Sequence, residues 1–327
     1  MAKVRTAEAL RSEEEQKPNV GAVALQRFLS ILSIIWKFCR LKPLGAAGGF
    51  IVLFIFTLAA FPGLISWHDP LRIVDMNYLG VSWNHPFGTD TIGRDIFART
   101  VWAARTTVQI SMTAVIVGVT LAMVIAVITT YAGGIVDLLY QRINDTLQSM
   151  PGLVMALFIL TVIGPSKPTI IWTIVILGLP RNIRVIRSAV LSVKEMPYVE
   201  SAQAIGASLW RIWFRYVIPQ ISALYFILIS LSVGFAILLE SSLAFLGLGL
   251  SIEEPSWGNM VNRGVQDIFF NSWRMAIPPA ILIALSVVGF NLLGDSLRDV
   301  LDPRLRGSGV GLKRGGGGRG GAASGSE

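Results

Sequence analysis

Charged residues and long uncharged stretches alternate along this chain in a pattern set by length rather than by a short period. Charge-free runs lie between Lys42 and Asp69, Arg105 and Asp137, Asp145 and Lys167, Arg215 and Glu240, and Arg274 and Asp295. Each is as long as the roughly 20 apolar residues that a helix needs to cross a bilayer, or longer. A shorter run, "PTIIWTIVILGLP", separates Lys167 from Arg181. It spans only if the flanking cations snorkel to the interface. The pattern predicts six helices, the fourth being the weakest. The fold class is therefore all-α, a polytopic transmembrane bundle. The first run starts after 42 residues, too late for a signal peptide's basic leader, and is expected to be an uncleaved span.

Between the runs the chain is organised differently. Residues 1–19 are polar and expected to be a disordered tail. Residues 20–42 include "LQRFLSILSIIWKFCRLK", which carries Arg27, Lys37, Arg40 and Lys42 among apolar and aromatic residues. It reads as an amphipathic helix on the membrane surface. Residues 43–105 comprise the first span and a long connection, in which Pro86, Gly88 and Gly93 supply turn chemistry ahead of a helical pattern. Residues 106–305 form the core, interrupted by a polar loop at 195–219. Residues 306–327 are a Gly-rich, disordered tail.

Composition agrees with a membrane protein: 53% hydrophobic and 15% charged, against about a quarter charged in soluble domains. A net charge of +8 would suggest nucleic acid in a soluble chain, whereas here it reports orientation. With six spans and the N-terminus inside, the cytoplasmic segments hold 21 Lys and Arg and the external ones 7. Both termini are expected in the cytoplasm, with no nucleic-acid partner. The one cysteine, Cys39, excludes an intramolecular disulfide. His68 and His85 are too few for a convincing metal site and read as surface or loop histidines. The glycines near Lys313 are no phosphate loop, because Arg314 follows where Ser or Thr is required. No nucleophile elbow or H-E-x-x-H occurs, so the chain is not expected to be an enzyme.

The loop "YVESAQAIGASLWRIWFRYVIP", residues 198–219, is polar, yet it is punctuated like folded structure. Pro197 suits a first helical turn, and Gly206 suits the left-handed residue that ends a helix. Ser208 is placed to cap a second helix, which Pro219 is expected to close before the fifth span. A rigid knob of this kind suits docking to a cytoplasmic partner.

These residues resemble a known family. The permease subunits of binding-protein-dependent ABC importers carry the pattern E-A-A-x3-G-x9-I-x-L-P, which Glu200, Ala202, Gly206 and Pro219 match at the same spacing. Ser201, Tyr216 and Ile218 depart from it by small-for-small or apolar-for-apolar changes. "HPFGTDTIGRDIFAR", "SSLAFLGLGL" with "PSWGNM", and "NLLGDSLRDVLDPR" are similar to the C-type permease of the dipeptide/oligopeptide, nickel and glutathione importers. The likeness covers roughly residues 40–305.

The resemblance implies a type I importer permease fold in a bacterial or archaeal plasma membrane. It also implies a second homologous permease, two ATPase subunits that bind ATP and Mg, and an extracytoplasmic substrate-binding protein, with no cofactor in this chain. It further implies that Tyr198, Glu200, Ser201, Ala202, Ile205, Gly206, Ala207 and Pro219 belong to a coupling element seated in a groove of the ATPase. Glu200 is expected to fix the knob, and Ala202 and Gly206 to keep it slim.

For the pathway the residues say less. Gln109, Thr113 and Thr120 share one face of the second span. Asn144 and Gln148 share a face with Asp137 in the third. Either stripe is a candidate lining, and local bonding to the backbone is the plainer reading. Asp137, Arg142 and Asp145 suggest a local charge network. Glu240 ends an apolar run, where an ionised group needs a partner, and a gating or structural role is expected. The connections 67–105 and 248–274, the latter with Glu253, Glu254, Trp257 and Asp267, are expected to receive the binding protein. The alternatives are a nickel or glutathione permease of the same family, and a secondary transporter. The near absence of ionisable groups within the spans disfavours the latter.

Overall fold

The computed structural model describes Ser33 and residues 39–251, 254–266 and 273–301. The expectations for the N-terminal tail, for most of the interfacial helix, for Glu253 and Asp267 and for the Gly-rich tail lie outside the described residues. Among the described residues the chain is helical, with isolated bridges only at Ile73–Arg94 and Thr89–Asp95.

We number the helices α1 (Pro43–Ala60), α2 (Pro62–Ile65), α3 (Ile96–Ala132), α4 (Gly134–Ser149), α5 (Gly152–Ile163), α6 (Lys167–Lys194), α7 (Pro197–Ala204), α8 (Leu209–Leu248), α9 (Trp257–Gln266) and α10 (Trp273–Leu301). Five of them, α1, α3, α6, α8 and α10, are long and apolar enough to cross a membrane. The pair α4 and α5 makes a sixth span only as a broken one, bent by 88°. This reverses the expected weak point. The fourth run is the start of a continuous 28-residue helix, α6, whose Ser166 hydroxyl accepts from Thr169 N at its N-cap. The break falls in the third run instead. Pro151 cannot donate a backbone bond, and the residue before a proline is pushed out of helical geometry. Accordingly Met150 is extended (φ −88°, ψ 136°).

The central seam is α3 against α6. Ala114, Gly118, Ala122 and Ala126 recur every fourth residue on α3, and all are buried. A stripe of small residues lets two membrane helices approach closely, where packing rather than water drives association. A Cβ at Gly118 would lie 3.7 Å from the Val175 Cα. α1 crosses α10 still more tightly at Gly48 and Gly289. A Cβ at 48 would come within 2.8 Å of the Gly289 carbonyl, and one at 289 within 2.7 Å of Ile51 Cγ2. Lys42, at the start of α1, pairs with Asp299, at the end of α10 (2.6 Å). The first and last spans therefore begin and finish at the same end of the bundle.

Candidate coupling surface and translocation face

α7 starts at Pro197 and is closed by a Schellman turn. Ala207 N donates to Ala202 O (3.0 Å), Gly206 N donates to Gln203 O (2.9 Å), and Gly206 sits at φ +80°. The expected glycine conformation is present. Two other expectations change. Ser208 is extended at the N-cap position of α8, but its side chain makes no cap bond. Pro219 closes nothing, because α8 runs through it. A π-helical turn at Trp213–Val217 widens the backbone just before Pro219, which eases the clash a proline ring otherwise makes with the preceding turn.

The knob has an inner and an outer face. Val199 and Ala202 are buried against the chain itself, so the small side chain of Ala202 serves internal packing rather than a slim outer profile. The Glu200 carboxylate is exposed, with no ion pair or hydrogen bond among the described residues. Among the described residues nothing ties it to the knob. The Ser201 hydroxyl donates to Pro197 O (2.7 Å) in its own helix.

Outward-facing residues form an apolar and aromatic tip: Ile205 (84% exposed), Trp210, Phe214, Leu209 and Tyr198. Trp210 stacks on Phe214 with centroids 5.9 Å apart, and Tyr198 lies beside Tyr216. Ala207 is half-buried at the turn. The root is anchored by residues that sequence inspection missed. Trp213 packs edge-on against Tyr131 at the end of α3 (5.8 Å). Lys194, at the end of α6, lies 5.0 Å over the Tyr131 ring and donates to Thr130 O (3.1 Å). A lysine in the last turn of α6, an aromatic closing α3 and a tryptophan at the start of α8 are each unremarkable alone. Only their meeting makes a joint.

Along α3, Gln109 and Thr113 are exposed on a common face, whereas Thr120 turns inward and shares a hydrogen bond with the Tyr225 hydroxyl on α8 (2.8 Å). Gln109 opens into a cleft of about 690 Å3 near the start of α3, lined also by Asp69, Arg105, Lys167 and Glu254. Asn144 and Gln148 do not share an environment. Gln148 is exposed, whereas Asn144 is buried and donates to Pro180 O on α6 (3.1 Å). The local charge network exists with different partners. Asp137 accepts two bonds from Arg187 (2.9 and 2.5 Å), and Asp145 pairs with Arg184 (2.7 Å). Together with Asn144 they bind α4 to α6 across the bend.

Glu240 is buried between α8 and α3. The Thr107 and Ser241 hydroxyls donate to its Oε2 (each 3.3 Å), while Oε1 has no hydrogen-bond partner among the described residues. Trp257 is fully buried and donates to Thr100 O (3.0 Å), tying α9 to α3. It is not available as a contact residue. Glu254 pairs with Lys167 (3.0 Å). In the 66–95 connection Gly88 and Gly93, read as turn residues, have positive φ. His85 is not a surface histidine: it is 5% exposed.

Residues 114–307 match the family of binding-protein-dependent transport system inner membrane components. The chain belongs to this family. The match covers the α3–α6 seam, the knob and α8, so the described joint lies within what the family shares. A dipeptide transport system permease of Bacillus subtilis is 34% identical over 294 residues, 89% of this chain and 92% of that one. Glutathione transport system permeases of Pectobacterium atrosepticum and Escherichia coli are each 32% identical over 83% of this chain and 90% of theirs. The permease is a multi-pass inner-membrane component of a binding-protein-dependent transport system.

Proposed function

We propose that this permease carries di- or oligopeptides inward as half of a two-permease pathway, with two ATPase subunits and an extracytoplasmic binding protein. On this reading both termini and α7 face the cytoplasm, in keeping with the cation bias. ATP and Mg belong to the ATPase subunits. The relatives named for dipeptides and for glutathione, itself a short peptide, favour a peptide substrate.

The observation that carries the reading is the α7 knob. It starts at Pro197 and is closed by the Gly206 turn, its tip is apolar and exposed, and Trp213 at its root packs edge-on against Tyr131 of α3, over which Lys194 of α6 lies. A force applied at the tip is therefore delivered to the central seam, since packed elements shift as units. The exposed face with Gln109 and Thr113 is the side of the central seam available to the second permease or to the pathway, and Glu240 holds α8 to α3 behind it.

The test is uptake into proteoliposomes holding the assembled importer and its binding protein. ATP-dependent, saturable accumulation of a labelled dipeptide is expected. Accumulation of Ni2+ or of glutathione without dipeptide would assign the permease to those importers. Uptake driven by a proton gradient without ATPase subunits would overturn the reading in favour of a secondary transporter.

A further inference from the structure

The geometry points to a divalent transition-metal site, of the kind that takes Zn2+, formed by His68, His85 and Asp95 where the 66–95 connection meets the start of α3. The three residues are 17 and 10 positions apart in sequence, yet their ligand atoms all lie within 4.8 Å of one another. His68 Nδ1 is 3.1 Å from Asp95 Oδ2, and His85 Nδ1 is 3.7 Å from Asp95 Oδ1. Ligands held about 2.0–2.1 Å from a tetrahedral Zn2+ stand roughly 3.3 Å apart, so these separations bracket the edge of such a site. The imidazole rings stack with centroids 5.1 Å apart and planes at 27°. Binding would require one ring to rotate out of the stack, so that both lone pairs converge on a single ion.

Two further observations separate this cluster from ordinary loop packing. His85 Nδ1 is buried and has no hydrogen-bond partner among the described residues, although most buried polar atoms are bonded. On the far side of the same ring, Nε2 faces the Asp75 carboxylate at 3.7 Å. A carboxylate behind the second nitrogen is what sets the tautomer of a metal-binding histidine, leaving the other nitrogen free to ligate. Asp95 can serve the ion and the helix together, because Oδ1 accepts from Phe97 N (3.1 Å) at the N-cap, while Oδ2, which shares a hydrogen bond with His68 Nδ1, is free to turn to the ion once that nitrogen ligates. Two imidazoles and a carboxylate form a borderline donor set, suited to Zn2+ rather than to Ca2+ or Mg2+. A bound ion would cross-link residue 68, residue 85 and the first turn of α3. The site does not depend on the transport reading.

The test uses the full-length chain, purified in detergent with a tag that contains no histidine and stripped with a chelator. The chain has two histidines, so any histidine-dependent binding reports on this pair. Competition against a chromophoric chelator should show saturable binding of one Zn2+ per chain, and thermal unfolding should shift upward with Zn2+. Co2+ should give the visible band of a low-symmetry N/O site. His68→Gln, at a partly exposed position, should weaken Zn2+ at least about tenfold without lowering the unfolding temperature of the metal-free protein. His85→Gln should do the same, and it serves as a second variant if either fails to express. Cys39→Ser should leave binding unchanged. Absence of saturable Zn2+ binding, or equal binding by wild type and both histidine variants, would overturn the proposal.

Discussion

A side chain at position 206 would have to adopt φ near +80°, a conformation that costs an L-residue about 1–2 kcal/mol. A Cβ there would meet nothing within 4 Å, so the cost is backbone strain alone and the chain should still fold. Gly206→Val is therefore expected to tilt the knob and uncouple it. In a reconstituted importer, substrate moved per ATP hydrolysed should fall while hydrolysis persists; an unchanged ratio would remove the coupling role. Ser201→Ala should be silent, because the hydroxyl bonds only within its own helix. Glu200→Ala should weaken ATPase docking mildly, since the carboxylate is exposed and pairs with nothing among the described residues.

Glu240 supports a second prediction. Glu240→Gln keeps an acceptor for the Thr107 and Ser241 hydroxyls, and the unfolding temperature should barely move. Glu240→Ala strands both hydroxyls and opens a void. At about 1–3 kcal/mol for a buried unsatisfied group, a clear loss of thermal stability is expected. Equal stability of the two variants would show that the hydroxyls find other partners.

At the scale of elements, close approach of helices is the organising fact. Gly48 and Gly289 permit α1 to touch α10 backbone to backbone. Gly48→Leu should overpack this crossing, at about 1–3 kcal/mol, and lower the yield of folded protein or its melting temperature in detergent. Gly49→Ala is the control, since a Cβ there would meet its nearest neighbour at an ordinary 3.8 Å. Matching losses in the two variants would mean that the helix itself, and not the crossing, is sensitive. The α4–α5 bend obeys a different rule. Its proline was visible in the sequence, but the polar residues that stabilise the bend, Asp137, Asn144 and Asp145, find their partners on α6, 36 to 50 positions away.

For the whole molecule, the cation bias predicts that both termini are cytoplasmic. In a Cys39→Ser background, Gly320→Cys should react with a membrane-impermeant maleimide only after the membrane is opened. Labelling in intact cells would reverse the topology and, with it, the assignment of α7 to the ATPase side. The contact between Lys42 and Asp299 ties the two terminal segments to one end whichever side that proves to be.

Much of this architecture was local and hence legible. In lipid a backbone must satisfy its own hydrogen bonds, so long apolar runs are helices. A glycine that ends a helix, a proline that starts one and a motif at fixed spacing are likewise short-range properties, and Pro197, Gly206 and the five unbroken spans followed from them. The stripe Ala114, Gly118, Ala122, Ala126 went unread in the sequence, and the packing of α3 on α6 at Gly118 first picks it out. The environments of individual polar side chains were decided by the tertiary structure. A span that is apolar on every face carries no pattern to distinguish a buried position from an exposed one. Asn144 and Gln148 shared a sequence stripe but not an environment, and Trp257 looked like a contact residue although it lies in the core, because the groups that pack on α4 and α9 come from distant parts of the chain. The same reason hid the Lys194–Tyr131–Trp213 joint and the meeting of His68, His85 and Asp95. Each is made by residues distant in the chain, and only folding brings their atoms together.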